Sequence, residues 1–241
     1  MQTTAIIEER VTFNSDGLGL TGVLTYPQYD EPVSAILLCS PHPHFAGNMD
    51  NNVITALSQS LAGDSVTLRF DYRGVGGSRI DLPDGISVFD YWDDIEECKN
   101  YDDAVTDVAS AGAELLRITG NLPLIVIGYS LGAVTAFLYG KDNNSVRLMV
   151  GIAPPLGKVS FDFLAECDKP NLMIVGKGDF LYSAEEVEKF TKTASRDARF
   201  CVSTEIDLLE DCDHFFRGNE ELIAEKVGIF IRNNTPPTPS F

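Results

Sequence analysis

Basic residues are scarce in this chain. Its 241 residues carry 18 Lys and Arg against 36 Asp and Glu, a formal net charge of −18. Nucleic-acid binding needs basic surface to neutralise phosphates, so no nucleic-acid partner is expected. Long apolar runs are also missing: none reaches the roughly 20 residues that cross a bilayer, and no membrane insertion is expected. Residues Met1–Arg10 lack the basic-then-apolar order of a secretory signal. Cysteine is limited to Cys39, Cys98, Cys167, Cys201 and Cys212, an odd and scattered set with no metal-site or redox spacing. That usage fits a reduced, cytoplasmic compartment and gives no reason to expect a metal or an organic cofactor. The glycine-rich turn around Arg73 is not followed by Gly-Lys-Ser/Thr, so it is not a phosphate-cradling P-loop, and Arg73 reads as a structural partner of a carboxylate. There is no internal repeat. With only three histidines, His42, His44 and His214, any imidazole chemistry has few places to reside.

What is present is an alternation of short apolar runs and helical segments. Residues 5–13 and 18–26 read as strands around a turn at Asn14–Gly17, predicting an antiparallel hairpin. From Ala35 onward, strands over 35–39, 66–70, 122–127, 146–150, 171–175 and 200–209 are interleaved with helices. The helices expected include 50–61, the run after Ser130, 184–193 and 220–231. This is the pattern of an α/β domain with a mostly parallel, eight-stranded sheet covered on both faces. Residues 1–233 are expected to form one domain and 234–241 a disordered tail rich in proline. The longest irregular connection runs from Ser78 to about Asn100 within a strongly acidic stretch, in which Asp81–Asp107 holds a single basic residue, Lys99. Its acids read as a solvated face or as a rim that attracts cationic substrates. Its aromatics Phe89, Tyr91 and Trp92 are candidates either to anchor the loop or to form a small lid and pocket wall.

The richest signal is Gly128-Tyr129-Ser130-Leu131-Gly132, between the 122–127 run and a helix-like segment. A Gly-x-Ser-x-Gly pentapeptide at a strand-to-helix turn is a nucleophile elbow, in which a sharp turn projects the serine hydroxyl above the sheet. A serine hydroxyl is a weak nucleophile and needs a general base, oriented in turn by a carboxylate. His214 follows Ser130 and lies after the last strand, as the Ser–acid–His chain order requires. Asp179, in a glycine-flanked turn after the 171–175 strand, is the expected acid, and Asp213 is its competitor. The backbone N–H of Leu131, next to the nucleophile, is an expected oxyanion donor.

These motifs resemble the alpha/beta-hydrolase superfamily, and within it the small, nearly capless hydrolases whose first loop reads His-Pro-His-Pro before a glycine-rich turn. The matching stretches are Ser40-Pro41-His42-Pro43-His44 with Gly47-Asn48-Met49-Asp50-Asn51, the segment 70–78, Ala153-Pro154-Pro155-Leu156 and Asp213-His214-Phe215-Phe216. The resemblance covers residues 18–232 and implies a hydrolase fold with a minimal cap. It also implies that the second oxyanion donor is the backbone N–H of His42, since Pro41 and Pro43 have none. His44 is expected only to pack the loop. The chain departs from the group at Ser40, which stands where a first histidine is usual, and in its longer acidic 78–100 connection.

The function expected is a serine hydrolase of carboxylesterase or thioesterase type. It would cleave an ester or thioester of a small carboxylic acid through an acyl-enzyme, as a monomer or homodimer with a small-molecule acyl substrate. An amide or peptide hydrolase or an acyltransferase using the same triad remains open, as does a non-catalytic binding module on the same fold.

Overall fold

The computed structural model describes residues 5–45, 47–120, 122–181, 185–188 and 204–235. Strands β1 (Ile6–Ser15) and β2 (Leu18–Pro27) form the hairpin, turning at Asp16 and Gly17 with φ of 48° and 84°. Two left-handed residues are what a two-residue hairpin turn demands, because its twist then matches that of the strands. Next come β3 (Ser34–Cys39), α1 (Asn52–Leu61), β4 (Ser65–Phe70), α2 (Val88–Cys98) and α3 (Asp102–Thr119). The chain continues with β5 (Leu124–Tyr129), α4 (Leu131–Asp142), β6 (Val146–Ile152), β7 (Asn171–Gly176), β8 (Thr204–Leu209) and α5 (Glu220–Asn234). Residues 185–188 are helical, and the rest of the expected 184–193 helix, the first part of the 200–209 strand and the tail beyond 235 lie outside the described residues.

The eight strands lie in the order β1-β2-β4-β3-β5-β6-β7-β8, antiparallel up to β4 and parallel from there to β8. Strands β3, β4, β5 and β7 are buried along their whole length, as a sheet covered on both faces requires. Alternation sorts their side chains. Leu124 and Val126 of β5 join a core with Trp92 of α2, Val108 of α3 and Val134 of α4. Ile125, Ile127 and Tyr129 join a second core with Leu57 of α1 and Val227 of α5. The chain moves from β3 outward to β4 and then returns to the other side of β3 as β5. The crevice at the carboxyl ends of β3 and β5 is therefore a topological switch point, the usual seat of a site in an open α/β sheet.

One expectation is corrected. The 78–100 connection is not irregular throughout, because its second half is α2. Ser87 caps the helix, its hydroxyl accepting from Asp90 N–H while the Asp90 carboxylate accepts from Ser87 N–H. Val88, Trp92 and Ile95 recur at helical spacing, and Trp92 and Ile95 are buried.

Candidate active site

Ser130 begins at the end of β5 and caps the start of α4 with φ 55° and ψ −115°. A non-glycine residue held in such a conformation costs about 1–3 kcal/mol, and the surroundings must hold it there. Ser130 N–H donates to the carbonyl of Ile152 at 2.8 Å, and Ala133 N–H donates to the Ser130 carbonyl at 3.0 Å. The flanking glycines are required by contact. A Cβ on Gly128 would lie 1.9 Å from the Gly132 carbonyl oxygen, and one on Gly132 would lie 2.1 Å from the Cys39 carbonyl oxygen.

Two further turns converge on this serine. Lys177 N–H donates to the Leu209 carbonyl at 2.8 Å and Gly178 N–H to the Cys212 carbonyl at 2.9 Å, stitching the turn after β7 to the turn after β8. Asp179 and His214 thereby meet, with Asp179 Oδ2 2.6 Å from His214 Nδ1. His214 Nε2 lies 3.2 Å from Ser130 Oγ. All three residues are buried. Asp179 Oδ1 accepts from Leu181 N–H at 2.9 Å, and the Tyr129 hydroxyl donates to the His214 carbonyl at 2.6 Å, fixing both partners. Asp213 does not face the imidazole. Its Oδ1 accepts from the N–H groups of Phe215 and Phe216, shaping the turn that carries His214.

The loop after β3 forms the opposite side. Gly47 is indispensable there, since a Cβ would meet the Pro41 carbonyl oxygen at 1.9 Å. Asp71, which follows β4, accepts from Met49 N–H at 2.8 Å and ties the loop to the sheet. Burial raises the Asp71 carboxyl above its ordinary value, while this bond acts the other way. The His42 ring is tethered at both nitrogens, with Nδ1 accepting from His44 N–H and Nε2 within 3.3 Å of the Trp92 carbonyl. Burial lowers the His42 pKa, against the nearby charge of Glu96. Leu131 is the first residue of α4, so its N–H has no partner within the helix. His44 packs, but against side chains rather than carbonyls: it stacks on Phe89 with ring centroids 3.6 Å apart, and its Nδ1 is 3.2 Å from Asp93 Oδ1. Ser40, in the variant position, donates to the Phe70 carbonyl at 3.3 Å. Arg73 takes its structural place, gripping buried Asp107 through Nε and Nη2.

The three aromatic lid candidates have separate fates. Trp92 is fully buried, 5.7 Å from Tyr72 and 5.8 Å from His42 between ring centroids. The Tyr91 hydroxyl donates to Asp103 on α3. Phe89 is exposed on the outside of His44. None of them lines the cavity beside Ser130. That cavity, about 30 Å³, is bounded instead by Ser130, Leu131, His42, Phe45, Tyr101 and Leu181, together with Glu96 of α2 and Pro155, Lys158 and Val159 of the loop after β6. Sequence reasoning missed Glu96 and Lys158. The available signal was that residues just past β6 belong to the same end of the sheet as Ser130. A larger groove, about 660 Å³, lies between α1 and α5, and none of Ser130, Asp179 and His214 lines it, so size does not locate the chemistry.

A strained serine at the switch point, between strand and helix of a sheet in this order, is one architecture. Residues 51–161, under half of the chain, match a family model described as serine aminopeptidase, S33. The chain is 23% identical to an alpha-beta serine hydrolase homologue from Coxiella burnetii, over 94% of this chain and 97% of that one, with a TM-score of 0.74. It is 21% identical to a lidless alpha/beta serine hydrolase from Xanthomonas campestris, over 96% of this chain and 97% of that one, again with a TM-score of 0.74. The chain has the alpha/beta-hydrolase fold. An uncharacterized protein of Rickettsia prowazekii is 27% identical over 208 residues, 83% of this chain and 78% of that protein. The matched family segment holds the Ser130 elbow and ends before Asp179 and His214, so the hydrolase fold brings the acid and the imidazole from outside it. Among the described residues no helix is long and apolar enough to cross a membrane, and no cluster of His, Cys, Asp and Glu could hold a metal.

Proposed function

We propose that this protein is a serine hydrolase that cleaves an ester or thioester through an acyl-enzyme. The observation that carries the reading is the chain Asp179 Oδ2–His214 Nδ1 and His214 Nε2–Ser130 Oγ at 2.6 and 3.2 Å, ending on the strained elbow. Ser130 Oγ attacks the carbonyl carbon while His214 Nε2 takes its proton, and Asp179 holds the imidazolium that forms. The oxyanion is received by the N–H groups of Leu131 and His42, each worth about 3 kcal/mol in the transition state. Collapse breaks the bond to the leaving oxygen or sulfur, which accepts the proton from His214. Water, deprotonated by His214, then releases the acid from Ser130.

A fluorophosphonate probe tests the reading. The folded protein is expected to be labelled on Ser130, and Ser130→Ala is expected to remain unlabelled. A folded wild-type protein that takes no label contradicts it. Amide cleavage by the same groups is a second reading, favoured by the description of the family model that matches residues 51–161.

A further inference from the structure

The site has two unlike sides, and proton transfer says which part of a substrate meets each. His214 returns its proton to the leaving atom, so the leaving group lies on the His214 side of the carbonyl carbon and the acyl group on the other. On the His214 side stands an exposed aromatic platform. The Phe180 ring is 5.3 Å from the imidazole, 5.6 Å from the Phe215 ring and 6.3 Å from the Phe45 ring. Phe180 is 57% exposed, which leaves an apolar ring face beside a reactive centre. On the other side is the cavity of about 30 Å³, which none of His214, Phe180 and Phe215 lines, whereas Phe45 lines it and so stands at the border between the two sides. Such a volume holds about two water-sized groups.

The walls of that cavity are tied together. Glu96 of α2 is ion-paired with Lys158 of the loop after β6, and Lys99 donates to the Lys158 carbonyl. Burial raises the Glu96 carboxyl, yet the bond and charge of Lys158 outweigh it and hold the group below its ordinary value. Glu96 Oε2 also lies 3.7 Å from His42 Nε2, so the pair is anchored to the oxyanion loop as well.

We infer that the substrate is an ester joining a short acyl group, about two or three carbons long, to a bulky aromatic alcohol. The Glu96–Lys158 pair sets the acyl limit by holding α2 against the 155–159 loop, and Phe180 with Phe215 receives the alcohol. This inference rests on the serine-hydrolase reading of the same site.

The test compares kcat/KM within two pairs of esters. In p-nitrophenyl esters, acetate is expected to exceed octanoate by about 100-fold, because the surplus methylenes exceed what a cavity of about 30 Å³ holds. Between benzyl acetate and ethyl acetate, whose leaving groups have similar basicity, the benzyl ester is expected to lead by about tenfold. Lys158→Ala, at an exposed position, is expected to reduce the acetate-to-octanoate ratio by about tenfold or more, and Phe180→Ala to bring the benzyl-to-ethyl ratio towards one. A wild-type enzyme that is labelled on Ser130 by a fluorophosphonate, yet cleaves octanoate as well as acetate or ignores the benzyl group, overturns this inference alone. Ratios that hold in wild type but do not move in the variants overturn the roles of Lys158 and Phe180. Absence of labelling and of turnover overturns the underlying reading.

Discussion

The floor of the site and its wall are held by different forces. Ser130, Asp179 and His214 sit in buried turns fixed by main-chain hydrogen bonds and by glycines with no room for a side chain. The wall made by α2 presents its acids to solvent and is joined to the 155–159 loop through Glu96 and Lys158, which are 32% and 43% exposed. An exposed ion pair contributes about 0–1 kcal/mol, whereas a steric overlap at the elbow has no cheap relief. The turns that carry Ser130, Asp179 and His214 are thus fixed by backbone, and the boundary of the cavity is built from side chains that solvent can loosen. The two regions meet at His42, whose ring hangs on the Trp92 carbonyl of α2 and which lines the same cavity as Ser130 and Leu131.

The contrast can be strained from the floor first. Asp179→Asn keeps the shape of the floor but removes the charge that holds the His214 imidazolium, and kcat is expected to fall on the order of 10⁴-fold with little change in melting temperature. A loss below tenfold would remove Asp179 from the chemistry. Within the wall, Trp92 behaves as core: Trp92→Ala is expected to cost about 3–5 kcal/mol, lowering Tm on the order of 10 °C in thermal unfolding. Phe89→Ala, one helical turn away and exposed, is expected to stay within about 0.5 kcal/mol of wild type. Equal effects of the two would erase the division of α2 into an anchoring face and a solvent face.

The smallest effect concerns pH. Burial holds the His42 pKa below its ordinary 6.5, so the unfolded chain takes up a proton that the folded one resists. The stability this contributes is fully present above the unfolded value and is lost as pH falls through the lower folded value. Between about pH 7.5 and pH 5, the drop in Tm is expected to be steeper for wild type than for His42→Gln, by about 2 °C. Parallel curves would mean that His42 is not the group that resists protonation.

Much of this arrangement was legible in the amino-acid sequence because it is local. Apolar runs alternating with helical periods reveal the sheet, Asp16-Gly17 reveals the hairpin, and the Gly128–Gly132 spacing reveals the strained turn. Chain order pairs Asp179 with His214 because they follow the neighbouring strands β7 and β8, which run parallel to β5 and so end on the same edge of the sheet as Ser130. Helix α2 was hidden by dilution: its buried residues Trp92 and Ile95 lie among acids, and only the Ser87–Asp90 cap and the 88, 92, 95 spacing betray it. The cavity boundary was hidden for another reason. Glu96 and Lys158 are 62 residues apart, and neither carries a local pattern that points to the other; only the fold, which brings α2 beside the loop after β6, joins them.

The central claim is that Ser130 carries the acyl group between the two half-reactions. Rapid quenching of the protein with p-nitrophenyl acetate, followed by mass spectrometry of its peptides, measures this directly. The account predicts an acetyl group on the peptide containing Ser130, formed at the rate of the first release of p-nitrophenol and absent from Ser130→Ala. Turnover that persists in Ser130→Ala, or an acetyl group found only elsewhere in the chain, would contradict it.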